Sequence, residues 1–172
     1  MSIRPLYATW DRYQRAFVDG LRDRGSEELA VRNGDVAGPV WAIAAHVAGA
    51  RVYWLCGVFG EPGSDATPFP DPFGEGWEDN LAAPRTADEL VWALESSWAV
   101  IDGCLDRWTP SMLGATATRG QGDTLQVHTR ESVLVRLMTH DAFHAGEISL
   151  ALGSGGYASL DLWDPAVRNR TF

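Results

Sequence analysis

Lysine is absent from the 172 residues: all 14 basic side chains are arginine, set against 23 acidic ones, for a formal net charge of -9. A chain this acidic repels phosphate backbones and anionic lipid headgroups, which argues against nucleic-acid and membrane partners. Cysteine is scarce as well. Cys56 and Cys104 stand in neither a Cys-x-x-Cys nor a Cys/His spacing, which argues against a disulfide framework or a thiolate zinc site and points to a reducing, cytoplasmic setting. Met1 to Leu6 lack the apolar core of a signal peptide. Residues 39–60 are long enough to span a bilayer, but His46 and Arg51 near the centre make a core helix the better reading. There is no internal repeat, and the missing lysine fits a GC-rich genome. What is present is the material of one globular domain over residues 1–172, with 45% hydrophobic side chains and eight tryptophans.

Helical periodicity runs through four segments, and no stretch of period two competes with it. Leu6, Trp10, Tyr13, Phe17 and Leu21 recur at three- and four-residue steps and predict an amphipathic helix over 3–23. A second helix is expected from Pro39, at a first helical position, to about Phe59. Thr86-Ala87-Asp88-Glu89 is a capping box that opens a third, ended by Pro110. A fourth follows Thr129 and runs to Leu152, where Gly153 is expected to stop it. Four such helices predict an all-α protein, a four-helix bundle. Residues 60–85, with five prolines, form a long connection. A small hairpin around Arg119 to Asp123 is expected before the fourth helix.

The chain has only four histidines. His140 and His144, four apart, lie about 40° apart on one helix face, in a stripe with Val133, Leu137 and Ala151 that must meet the core. Imidazoles there need partners, since an unpartnered buried polar group costs about 2 kcal/mol. A divalent ion is one such partner. His46 lies on a stripe of unusually small residues with Ala42, Gly49, Ala50, Tyr53 and Gly57, leaving room for a partner helix or a ligand. The three imidazoles come level when the second and fourth helices are antiparallel. That requires an up-down-down-up order with a long crossover between the second and third helices, where residues 60–85 lie. His128 falls about 18 Å along the axis from His140 and reads as a loop histidine. Three imidazoles without a fourth protein ligand describe an open site for zinc, nickel, iron or cobalt, whose vacant position suits water or a thiolate.

The string Trp41-Ala42-Ile43-Ala44-Ala45-His46, together with His140-Asp141-Ala142-Phe143-His144-Ala145-Gly146-Glu147-Ile148, resembles the DinB-like (DinB/YfiT) superfamily of metalloenzymes. The resemblance covers nearly the whole chain. It implies a metal triad of His46, His140 and His144 and an up-down-down-up bundle, often a homodimer. Gly146-Glu147-Ile148 departs from the family's more familiar Gly-Gln-Ile, which leaves Glu147 as a pocket candidate beside Tyr53. Some relatives are thiol-dependent transferases or isomerases that use bacillithiol or mycothiol, and others are called metal-dependent hydrolases. The resemblance therefore implies a small-molecule substrate, one divalent ion and a low-molecular-weight thiol, with a hydrolase or a non-enzymatic metal-binding stress-response module as alternatives. His140-Asp141-x-x-His144 is also similar to the HExxH metalloprotease pattern, but Asp is one methylene short and no convincing sheet is evident. Di-iron bundles fail for want of an E-x-x-H pair.

Overall fold

In a computed structural model, which describes residues 1–34 and 38–162, the chain is mostly helical with one small antiparallel sheet. The expected N-terminal helix is divided. Arg4–Tyr7 form a 3-10 turn opened by Pro5, and α1 begins only at Trp10 and runs to Leu21. The division arises because the first residues dock on another element. The Ile3 amide donates to the Trp108 carbonyl at 3.0 Å, and Arg4 ion-pairs with Asp102 and Asp106. Leu6, expected on the buried stripe, is 71% exposed, and Gln14 is buried instead. A four-residue helix that periodicity did not predict, α2, spans Ser26–Leu29.

α3, Val40–Val52, follows Pro39 as its N-cap and is buried on nearly every side. It does not continue as an α-helix to Phe59, because Tyr53–Val58 widen into π-helical turns. α4, Ala87–Arg107, opens on the expected capping box: Thr86 Oγ1 accepts from the Glu89 amide and Glu89 accepts from the Thr86 amide at 2.8 Å. α5, Arg130–Ser154, starts at Thr129, whose hydroxyl accepts from the Ser132 amide at 3.0 Å. α5 also runs through Gly153, since one glycine costs a helix only about 1 kcal/mol. Its stop comes at Gly156, which takes the left-handed conformation (φ 82°) while the Tyr157 amide returns to the Leu152 carbonyl.

The hairpin exists. β1, Thr116–Arg119, pairs with β2, Gln126–Thr129, from Thr116 opposite Thr129 to Arg119 opposite Gln126. Residues 60–85 wrap across α3, and the small stripe is where they approach. Gly49 faces Phe69 and Glu78, while a side chain at Gly57 would meet Pro72 and Phe73 at 3.1 Å. Contacts step in opposite directions along the 3-10 turn with α1 and along α4, from Arg4–Asp102 to Gln14–Leu94. They step in the same direction along the chain following Arg51, from Arg51–Leu94 to Glu61–Arg107 on α4. They step in opposite directions again between α3 and α5 and the segments beside them, from His46–His140 to Glu61–Arg130. At the centre Arg51, fully buried, forks onto Asp141 and also donates to Gln14 Oε1 at 2.7 Å and the Leu94 carbonyl at 3.2 Å. One guanidinium thereby ties α1, α3, α4 and α5 together. No helix among the described residues is long and apolar enough to cross a membrane.

Candidate metal centre

His46 comes from α3, and His140 and His144 from successive turns of α5. One ring nitrogen from each lies within 4.8 Å of the other two. His46 Nε2 faces His140 Nε2 at 3.0 Å, and the His140 and His144 ring centres are 4.3 Å apart. His46 and His140 line a cavity, and the triad is not inside the apolar core as the stripes had suggested: the His46 side chain is 42% exposed and that of His144 16%.

Two carboxylates set the tautomers. Glu147 Oε2 lies 2.6 Å from His144 Nδ1, and Glu78 Oε1 lies 3.1 Å from His46 Nδ1. With a proton on each Nδ1, both Nε2 atoms present lone pairs. His140 then has no comfortable state without a further group. A proton on its Nδ1 is buried with no acceptor, and its Nε2 lone pair would face that of His46. A proton on Nε2 instead leaves Nδ1 buried as an acceptor with no donor. A cation shared by the lone pairs removes the facing repulsion. Zinc–nitrogen bonds of about 2.0–2.1 Å correspond to nitrogen separations of roughly 3.4 Å in a tetrahedron, so the His46–His140 pair at 3.0 Å would open slightly and any wider separation, up to 4.8 Å, would close to hold an ion. Burial, then the charges of His144 and His46, push the His140 pKa down to about 4, so its ring is neutral and ligand-ready at neutral pH.

Glu147, a pocket candidate from the sequence, thus orients His144. Glu78 escaped the sequence reading, because nothing in local periodicity ties residue 78 to residue 46; only the path of the 60–85 segment does. Tyr53 lines the cavity of about 350 Å³ that opens beside His46 and His140, together with Trp54, Phe69, Arg119 and Arg136. His128 stays out of the triad, its ring packed on Trp54 at 4.8 Å. Asp141 turns away from it, accepting from Arg51 and from Trp10 Nε1 at 3.2 Å, so it is not placed as the general base of an HExxH site. A second cavity of about 410 Å³, bordered by α1 and α5, has a mainly apolar lining, with the Arg51–Asp141 pair already engaged at its wall.

The sequence pattern of the DinB superfamily matches residues 6–148, a span that includes all three imidazoles and both carboxylates. Among solved structures the chain is similar to a DinB-like protein from Bacillus cereus, with a TM-score of 0.69 and 14% identity over 92% of this chain and 95% of that one, a likeness of fold. No curated protein matches the chain.

Proposed function

The chain belongs to the DinB superfamily, and we propose that it is a metal-dependent member of it, holding one divalent ion on His46, His140 and His144 and acting as a thiol-dependent S-transferase on a small molecule. The observation that carries this reading is the convergence of three imidazoles, two of them lining a cavity and two of them oriented by carboxylates. Carboxylate-held imidazoles are the usual outer support of metal-ligating histidines. A divalent ion at this position supplies Lewis acidity that lowers the pKa of a thiol or a water, so that a nucleophile is available at neutral pH. Glu78 and Glu147 keep the His46 and His144 rings turned toward one point. Phe69, Trp54 and Tyr53 give the cavity apolar walls beside the reacting groups. Imidazole ligation suits zinc, nickel, iron or cobalt alike.

We further read the four long helices as an up-down-down-up bundle. The opposed contacts of α1 with α4 and of α3 with α5, and the like-directed contacts from Arg51 to Glu61 with α4, support that order. The 60–85 segment provides the crossover it needs. A homodimer is part of the same reading, with exposed Val135, Met138, Phe143 and Leu150 on α5 as apolar surface to be covered.

Elemental analysis of protein purified without an affinity tag tests the metal. The expected result is about one divalent ion per chain, lost in His46→Ala and His140→Ala proteins that still fold. A mass-spectrometric screen of the loaded protein with mycothiol, bacillithiol or glutathione and an electrophile tests the reaction. Thiol consumption no faster than in His140→Ala would overturn the transferase reading.

A further inference from the structure

We propose that Arg119 and Arg136 form an oxyanion subsite for a small carboxylate-bearing molecule whose reacting atom lies at the imidazole triad. The two arginines come from different elements, the end of β1 and the second turn of α5, and meet on one indole. Arg119 Cζ lies 5.2 Å from the Trp54 ring centre and 5.3 Å from that of Tyr53, and Arg136 Cζ lies 4.8 Å from Trp54. Stacking fixes a guanidinium by its face and leaves its N–H edge free, the edge that forks onto a carboxylate.

In an acidic chain such edges are normally taken. Eight of the described arginines ion-pair with a carboxylate. The side chains of Arg119 and Arg136 have neither an ion pair nor a hydrogen bond among the described residues, although the cavity they line also has acidic side chains in its wall. Four carboxylates stand in that wall, and none ion-pairs with either arginine: Asp71 accepts from the Phe73 amide, Asp79 from the Gly76 amide, Glu78 holds His46, and Glu75 makes no ion pair with the two guanidinium groups. Two guanidinium groups gathered on one indole, with no carboxylate ion-paired to either, make a locally positive corner in the cavity wall. His128, packed on the same indole, feels it: its pKa is pushed down first by burial and then by Arg136 and Arg119.

The corner and the triad share one cavity, lined by His46, His140, Arg119 and Arg136. Arg136 precedes His140 by one helical turn, about 6 Å along the axis. A bound molecule whose carboxylate lies on the arginines would therefore place an atom about one turn away, a few bonds distant, against the imidazoles. That distance suits a short acid, and the guanidinium edges favour its carboxylate over a neutral amide. The subsite rests on the reading of the triad as the reaction centre only in calling the bound acid a substrate, so its test uses metal-free protein.

Calorimetric titration of metal-free protein with succinate, succinamide and inorganic phosphate separates the cases, with zinc content and melting temperature measured alongside. Succinate should bind, succinamide should not, and Arg119→Gln/Arg136→Gln should weaken succinate binding about tenfold or more with zinc uptake unchanged. Arg136→Lys, which keeps the charge but loses the fork, should fall between them and serves if the double variant does not fold. Succinate affinity that survives these changes would overturn the subsite. Inorganic phosphate binding tighter than succinate would overturn the carboxylate assignment. A wild type unable to take up zinc but able to bind succinate through these arginines would sink the metal reading and leave the subsite standing.

Discussion

At the scale of single residues, the chemistry of the centre depends on which ring nitrogen carries the proton. Glu147 and Glu78 decide this for His144 and His46. Truncating either carboxylate frees a ring to rotate, and such changes typically cost 10–100-fold in metal affinity. Glu147→Ala and Glu78→Ala should each weaken zinc binding by about that factor in a competition titration. Glu147→Gln should lose less, because an amide oxygen still accepts from Nδ1. His140 adds a pH dependence. Its pKa falls from the ordinary 6.5 to about 4 in the folded chain, so between those values the unfolded chain binds the extra proton. The stability of the metal-free protein should therefore be fully present above pH 6.5 and fall as the pH drops toward 4. His140→Phe should flatten that slope in thermal melts recorded across the same range.

At the scale of elements, the ends of the helices are set by local chemistry and their breaks by contacts from elsewhere. Thr129 both closes the β1–β2 ladder and caps α5, so the hairpin that carries Arg119 and the helix that carries Arg136, His140 and His144 are joined at one residue. Thr129→Ala should cost about 1 kcal/mol in denaturant unfolding, the ordinary value of an N-cap hydroxyl. Capping boxes at Thr86 and the periodic faces of α4 and α5 are legible in sequence because each depends on residues within one or two turns. The 3-10 turn at Arg4–Tyr7 and the π-helical turns at Tyr53–Val58 are not. The first answers to Asp102, Asp106 and Trp108 on a distant helix end. The second occurs where Gly57 meets Pro72 and Phe73 of the crossover and Trp54 of the same turns lies under the two arginines.

At the scale of the whole molecule, one buried ion pair holds the frame of the site. Arg51 and Asp141 bind each other and, through Gln14, Leu94 and Trp10, reach α1, α3, α4 and α5. Removing one partner strands the other charge, so Arg51→Ala should destabilise the fold by about 3–5 kcal/mol. Arg51→Met with Asp141→Leu should cost less than the sum of the single changes, a coupling that a double-mutant cycle in urea would read. By itself the sequence determined the helical class, the N-caps at Thr86 and Thr129, the hairpin and the pairing of His140 with His144, because a 3.6-residue period and a side-chain cap act over a few neighbouring residues. The level of His46 with that pair is also legible in the sequence, given antiparallel helices, and the structure brings the three together; only the tertiary structure decided that Glu78 reaches His46, that Asp141 turns away to Arg51, and that Arg119 and Arg136 share an indole. Those relations depend on how a 26-residue crossover and a distant hairpin fold over α3 and α5. No local spacing encodes such a path; it is settled by the joint burial of side chains far apart in the chain.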